Sequence, residues 1–246
     1  MKNIENWLPT KFDFRRGKLK ASKHSKHVSA SSRLITNLIG KFYQRELTNH
    51  AKGKLLDLGC GYVPLYSAYK DLIDDNYCVD WADSIHKNDF LDLIADLNEP
   101  LEIDSQSFDT IVLSDVLEHI RKPELLWNEM YRVLKKEGKL LMNVPFFYWL
   151  HEEPYDYFRY TKHALKAMAE EAGFKIISIT PIGGVPEVLA DIFSENIKLI
   201  PLIGKPIVKF IQWSTWIFIH TGLGRKYSKK SANKFPYGYT VIAEKM

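Results

Sequence analysis

Leu55-Leu-Asp-Leu-Gly-Cys-Gly-Tyr-Val-Pro-Leu-Tyr66 is the stretch that decides the fold. Lys54 to Leu58 has the short apolar run of a buried strand, and a helix is expected from Pro64, with proline in its first turn. Between them, Gly59 and Gly61 remove side chains where the backbone must turn sharply and where a ligand can approach it. The helix start offers unpaired amides to a polar or anionic group. Asp57 sets a carboxylate at the strand's end, the edge where open α/β sheets bind ligands.

Dinucleotide enzymes also use a strand-glycine-helix element, but they place a third glycine three residues after the second. Gly59-Cys-Gly61-Tyr-Val-Pro64 has proline there. That substitution and the early Asp57 disfavour a pyrophosphate cradle. They favour a ligand with an amino group near the loop, as in S-adenosylmethionine rather than NAD.

Further runs follow in order. Asn76-Tyr-Cys-Val-Asp80-Trp81 is a second short strand ending in an acid, placed to accept from both hydroxyls of a ribose. Leu93-Ile-Ala-Asp96-Leu97 is a third, and Phe108 to Asp115 a fourth, with Val116-Leu-Glu-His-Ile120 directly after it. An amphipathic helix over Pro123 to Lys135 leads to a fifth strand, Gly138 to Pro145. These five motifs resemble class I S-adenosylmethionine-dependent methyltransferases, in particular the type 11 group, over roughly residues 50–180 plus the last strand. The resemblance implies a Rossmann-like α/β fold with a seven-stranded, mostly parallel sheet. Its last strand is antiparallel, helices cover both faces, and an apolar helical insertion precedes the last strand.

The chain has 246 residues, enough for one large domain or a domain with a cap. Four segments are expected: a basic segment and leading helix over 1–52, the cofactor domain over 53–180, an apolar insertion or cap over 181–234, and the closing strand over 235–246. Residues 18–27 are expected to be mobile, and a helix is expected over Ser29 to Leu47. Helix Lys162 to Ala172 should stop at Gly173 and lead into a strand, Phe174 to Thr180. With two cysteines, Cys60 and Cys78, there is no disulfide framework. The first residues lack the apolar run of a signal peptide. Both features point to the cytoplasm.

Charge is uneven. Residues 1–54 hold 13 Lys/Arg against 3 Asp/Glu, and residues 222–246 hold 6 against 1, in a chain of net charge +4. Basic ends on an acidic core suit phosphates of lipid head groups, nucleotide-linked sugars or RNA; a solvated tail is the plain alternative.

The resemblance implies roles for the acids. The backbone at Asp57, Gly59 and Gly61 would hold the methionine end of the cofactor. Asp80 would chelate the ribose, with Trp81 against the adenine. Asp96 would accept from the adenine amine beside the Leu97 amide, and Ser114 and Asp115 would line the floor. A hydroxyl acceptor needs a base, and His151 and His119 qualify by position, His151 ranking first. His151-Glu-Glu-Pro-Tyr-Asp156-Tyr-Phe-Arg159-Tyr-Thr161 resembles a stretch of type 11 enzymes encoded with surface-glycan genes. It offers Asp156, Tyr157, Arg159 and Tyr160 to a sugar. The alternative is scaffold, with Thr161 as a helix cap and Arg159 pairing Asp156. Asp115-x-x-Glu118-His119 is similar to the acid-x-x-Glu-His of ubiquinone-pathway O-methyltransferases, which implies a divalent-ion site as an alternative to no metal.

In the insertion, Ile207, Phe210, Ile211, Ile217 and Phe218 fall on one helical side, and Lys209, Gln212 and His220 on the other. Such a helix can cap a hydrophobic substrate, pack on the sheet, or lie at an anionic membrane surface. The leading expectation is O-methylation of a small molecule or glycan, on a lipid- or nucleotide-linked sugar. RNA methylation and a non-catalytic partner role are the alternatives. Nucleic acid is disfavoured by the apolar insertion and by the lack of an Asn-Pro-Pro-Tyr-like or catalytic Cys motif.

Overall fold

A computed structural model describes residues 1–84 and 89–246. A hairpin of β1 (Phe12–Arg15) and β2 (Lys18–Ala21) precedes helix α1 (Arg33–His50). There follow β3 (Lys54–Leu58), the single-turn α2 (Tyr66–Tyr69), β4 (Asp75–Asp80), β5 (Leu93–Ile94), β6 (Phe108–Ser114), α3 (Pro123–Val133) and β7 (Leu134–Pro145). Next come α4 (Lys162–Glu171), β8 (Phe174–Ile182), three helices α5 (Val185–Ile197), α6 (Gly204–His220) and α7 (Gly222–Ser231), and last β9 (Gly238–Lys245).

Seven strands form one sheet in the order β5-β4-β3-β6-β7-β9-β8. The β3 to β7 pairings are parallel, and β9 runs antiparallel to both its neighbours. This is the Rossmann-like sheet expected from the motif order. Its strands read as unbroken apolar runs because both faces are covered. Leu56, Leu58, Ile111, Leu113 and Met142 pack with Trp127 of α3 and Leu165 of α4 on one face. Leu55, Cys78, Val112 and Leu141 pack with Ile39, Tyr43 and Leu47 of α1 on the other. The chain leaves β3 toward β4 and β5 on one side, and β6 and β7 build the other. A crevice therefore opens beyond the C-terminal ends of β3 and β6, where strand order reverses.

Several expectations are corrected. Pro64 lies outside any helix, because Val63 takes a left-handed φ of 51° and the chain turns before Tyr66. Residues 18–21, expected as part of a mobile segment, form a strand. They pair with β1, and Phe12 and Leu19 are buried against α1, where Gly40 leaves room for the Phe12 ring. The run from Leu93 to Leu97 is a strand only at Leu93–Ile94. The leading helix begins at Arg33, after a turn held by the Ser29–Ser31 hydroxyl contact. Gly173, at φ 95°, ends α4 as expected.

Residues 181–234 form no roof over the crevice. Helices α5 and α6 pack on α1, with Leu34, Ala190 and Ile219 buried between them. Gln212 turns inward against the wheel-based expectation: its Oε1 accepts from the Leu34 amide (3.1 Å) and its Nε2 donates to Ser194 Oγ (3.1 Å). A buried backbone amide at the start of α1 needs an acceptor, and that need outweighs the polarity of the side chain.

Candidate active site

A cavity of about 810 Å³ occupies the crevice, within the range of cofactor sites. Its inner wall comes from the strand ends: Gly59, Cys60 and Gly61 after β3, Asp80 and Trp81 after β4, Asp96, Leu97 and Asn98 after β5, and Ser114, Asp115 and His119 after β6. Its outer wall comes from two segments far apart in sequence, Thr10, Lys11, Lys26 and His27 on one side and Glu152, Glu153, Tyr155 and Tyr157 on the other.

The β3 loop is built for close approach. Gly59 has φ 64°, and a Cβ there would lie 2.5 Å from Val116 Cγ2, so the loop after β6 can close against it only because Gly59 has no side chain. Gly61 takes φ 50°, and its amide donates to Asp80 Oδ2 (2.9 Å). The Trp81 amide donates to Asp80 Oδ1 (2.8 Å). The Asp80 carboxylate thus locks the glycine loop to the end of β4 while bordering the cavity.

Asp57 sits elsewhere than its strand-end position suggests. Its carboxyl is buried behind the loop, outside the cavity lining, and accepts from the Tyr69 hydroxyl (2.9 Å). Burial, reinforced by the Asp80 charge, pushes its pKa up to about 7. Asp96 borders the cavity and also accepts from the Asn98 amide (2.9 Å) and side chain (2.8 Å), which shapes the turn there. Trp81 meets Tyr155 edge-on at 4.9 Å, so the β4 end and the outer loop close one wall together.

Asp115 holds a left-handed φ of 53°, rare for a residue with a side chain. Its carboxylate pairs with Lys11 Nζ at 2.8 Å and accepts from the Asn143 side chain. Asn143 Oδ1 in turn accepts from Ser114 (3.0 Å) and from the buried Tyr43 hydroxyl (2.7 Å). Lys11 was missed from the sequence, since nothing local marks a lysine whose partner lies 104 residues away.

The sugar-binding expectation for residues 156–160 is corrected in part. Arg159 clamps Asp156 with two bonds of 2.6 and 2.7 Å and donates to the carbonyl of Trp149 (3.1 Å). The Asp156 side chain is buried, and the Tyr160 hydroxyl donates to the Leu117 carbonyl (3.2 Å). Thr161 caps α4 through the Ala164 amide. These three residues stitch the loop after β7, and only Tyr157 of the four reaches the cavity. Burial works against the Asp156 charge, but Arg159 and the His151 amide outweigh it and hold its pKa at about 2. A carboxylate with a depressed folded-state pKa stabilises the fold above its unfolded pKa and loses that contribution as pH falls through the folded value. Asp156→Asn should therefore cost on the order of 2 kcal/mol at pH 6, and the gap to wild type should shrink between about pH 4 and pH 2. Denaturant titrations across that range check it.

The two histidines come together around a buried acid. Their rings meet edge-on at 4.7 Å. Glu118 Oε1 lies 3.8 Å from His119 Nε2 and 3.9 Å from His151 Nε2, and neither Glu118 oxygen has a hydrogen-bond partner. Burial, with the nearby Asp115 charge, pushes the Glu118 carboxyl well above the usual carboxylate range. His119 Nδ1 lies 3.1 Å from the Tyr155 carbonyl, which can only accept; Nδ1 therefore carries a proton, and the neutral ring would keep its lone pair on Nε2. His119 borders the cavity, whereas His151 is set behind it against Tyr148 and Asp156. Of the two, only His119 is in the cavity lining, although the sequence ranks His151 first. Asp115, a member of the alternative metal grouping, faces Lys11 and Asn143. The ligand atoms that do lie within 4.8 Å of one another belong to Glu118, His119 and His151.

The fold and this crevice are those of a class I S-adenosylmethionine-dependent methyltransferase. A family model described as "Methyltransferase domain" matches residues 31–179, and the chain belongs to that family. No curated protein matches it. Among solved structures, it is similar to a SAM-dependent methyltransferase from Archaeoglobus fulgidus at 16% identity and TM-score 0.55, over 90% of this chain and 97% of that one. A second is an S-adenosylmethionine-dependent methyltransferase from Mesorhizobium loti, at 14% identity and TM-score 0.52, over 82% and 95%. A third is the [4+2]-cyclase SpnF, at 16% identity and TM-score 0.53, over 97% of each chain. At such identities the likeness extends to the fold.

The cofactor is S-adenosylmethionine, and the donor set fits it. Six carboxylates, Asp80, Asp83, Asp96, Asp115, Glu152 and Glu153, are among the residues that border one cavity, which suits a ligand with an ammonium, a diol and an exocyclic amine and opposes a pyrophosphate. When bound, the cofactor supplies an electrophilic methyl group. Asp80 would keep the β3 loop fixed around it, and the segments around Lys11 and Tyr155 would exclude water.

Proposed function

We propose that this enzyme methylates a hydroxyl of a glycan or related small acceptor, with His119 as the base. The observation that carries this reading is the imidazole on the cavity wall, its Nδ1 turned to the Tyr155 carbonyl and its Nε2 left with a free lone pair. An alcohol is a poor nucleophile at neutral pH, so a positioned acceptor for its proton matters most for that acceptor class. His119 takes the hydroxyl proton at Nε2. Glu118 Oε1, 3.8 Å from that same Nε2, and the His151 ring flank it and share the charge that develops. Tyr157 and the backbone around Glu152 and Glu153 offer polar groups to the acceptor.

A second reading has a specific observation in its favour. Glu118, His119 and His151 present one carboxylate and two imidazoles at ligand spacing, a donor set suited to a divalent transition metal. There the ion, rather than a free imidazole, would hold the acceptor oxygen.

Both are tested with methyl-labelled cofactor and a panel of sugar, phenol and RNA acceptors, with and without chelator. Label on oxygen of a sugar or phenol, unaffected by chelator, supports the base reading. Activity abolished by chelator and restored by a divalent ion supports the metal. Label confined to RNA, or to nitrogen or carbon, overturns the hydroxyl reading.

A further inference from the structure

We propose that helices α6 and α7, with the turn before α6, dock this enzyme on an anionic lipid bilayer surface. The claim rests on this face alone and holds whatever the methyl acceptor proves to be. On α6, Val208 and Ile219 turn inward with Gln212, while Phe210 and Trp213 are 63% and 58% exposed. Leu202 in the preceding turn is 96% exposed, and Leu223 at the start of α7 is 75% exposed. A helix with its polar amide turned inward and half-buried, and its aromatic residues in solvent, is inverted relative to an ordinary surface helix. Contiguous apolar surface of this kind marks an interaction site.

Charge selects the occupant. From Asn196 to Ala243 the chain has eight Lys/Arg and no Asp/Glu. Lys205, Lys209, Lys226, Lys229, Lys230 and Lys234 are exposed, and among the described residues none forms an ion pair with a carboxylate. A second copy of this chain meeting the same face about a two-fold axis would set lysine against lysine. An anionic bilayer instead takes the apolar side chains into the head-group boundary and pairs the lysines with lipid phosphates. Among the described residues no helix is long and apolar enough to cross a membrane, so α6 would lie in the interface plane.

The face also reaches the segment that leads to the site. Lys198, at the end of α5, lies 5.7 Å above the Trp149 ring, and Trp149 and Leu150, just before His151, are 48% and 64% exposed. A surface-bound enzyme would hold this loop near the lipid head groups.

The test is co-sedimentation of the full chain with phosphatidylcholine vesicles and with mixed phosphatidylcholine–phosphatidylglycerol vesicles, at low and high salt. Cofactor binding serves as the control for folding. The expected result is binding to the anionic vesicles at low salt, at least about tenfold weaker at high salt. Phe210→Ser with Trp213→Ser, and separately Lys229→Glu with Lys230→Glu, should each weaken it at least about tenfold while cofactor binding holds. No sedimentation with anionic vesicles at any salt would overturn the proposal. So would vesicle binding untouched by the Phe210 and Trp213 replacements, or a dimer in ultracentrifugation that those replacements dissolve.

Discussion

Replacing His119 by alanine should lower turnover roughly 10²–10⁴-fold while leaving cofactor affinity within about twofold of wild type. The split follows from position. His119 borders the cavity beyond β6, and among the described residues none of its hydrogen bonds or ion pairs runs to the glycine loop or to Asp80, which the family resemblance assigns to the cofactor. His151→Ala should cost less, because that imidazole lies behind His119 and acts by orienting it and Glu118. Single-turnover rates and calorimetric affinities for both variants give the comparison. Near-wild-type rates for both would mean that alignment alone drives the transfer. A larger loss for His151 than for His119 would return the base to His151.

The sheet was legible because parallel strands covered on both faces must read as short apolar runs, and the β3, β4 and β6 runs end in polar groups at one sheet edge. The inner wall of the site could be read for the same reason, since Gly59, Gly61, Asp80, Asp96, Leu97, Ser114 and Asp115 all come from strand ends. The outer wall could not. Lys11 meets Asp115 only through the packing of the β1–β2 hairpin on α1. A sequence gives no distance between segments so far apart.

The loop after β7 shows a different limit. Asp156 and Arg159 are the residues a sugar site would use, and also those an internal clamp would use; only the geometry of two bonds within one loop separates the two. Helix α6 was ambiguous because it carries apolar residues on most of its circumference. The side turned inward was settled by Gln212 meeting an unpaired amide, not by hydrophobicity. Glu118 and His151 lie in separate segments, and their approach to His119 depends on how the β7 loop folds back. The motif Asp115, Glu118 and His119 therefore gives no hint in sequence that His151 lies within ligand distance of Glu118 and His119.

Asp80 carries the second large effect. Its two oxygens hold the Gly61 and Trp81 amides and it lies on the cavity wall, where the family resemblance would have it accept from a ribose diol. Removing the carboxylate takes away charge-assisted bonds on both sides, each worth about 1.5–3 kcal/mol. Asp80→Ala should thus lose about 3–5 kcal/mol of cofactor binding, roughly 10²–10³-fold or more. Asp80→Asn, which keeps the shape and gives up the charge, should fall between it and wild type. The most direct measurement is titration calorimetry of S-adenosylhomocysteine against wild type and these two variants, with NADH as the competing ligand. One-to-one binding by wild type, the expected order of loss, and no heat with NADH are predicted. Unchanged affinity in Asp80→Ala, or tighter binding of NADH than of S-adenosylhomocysteine, would contradict the account.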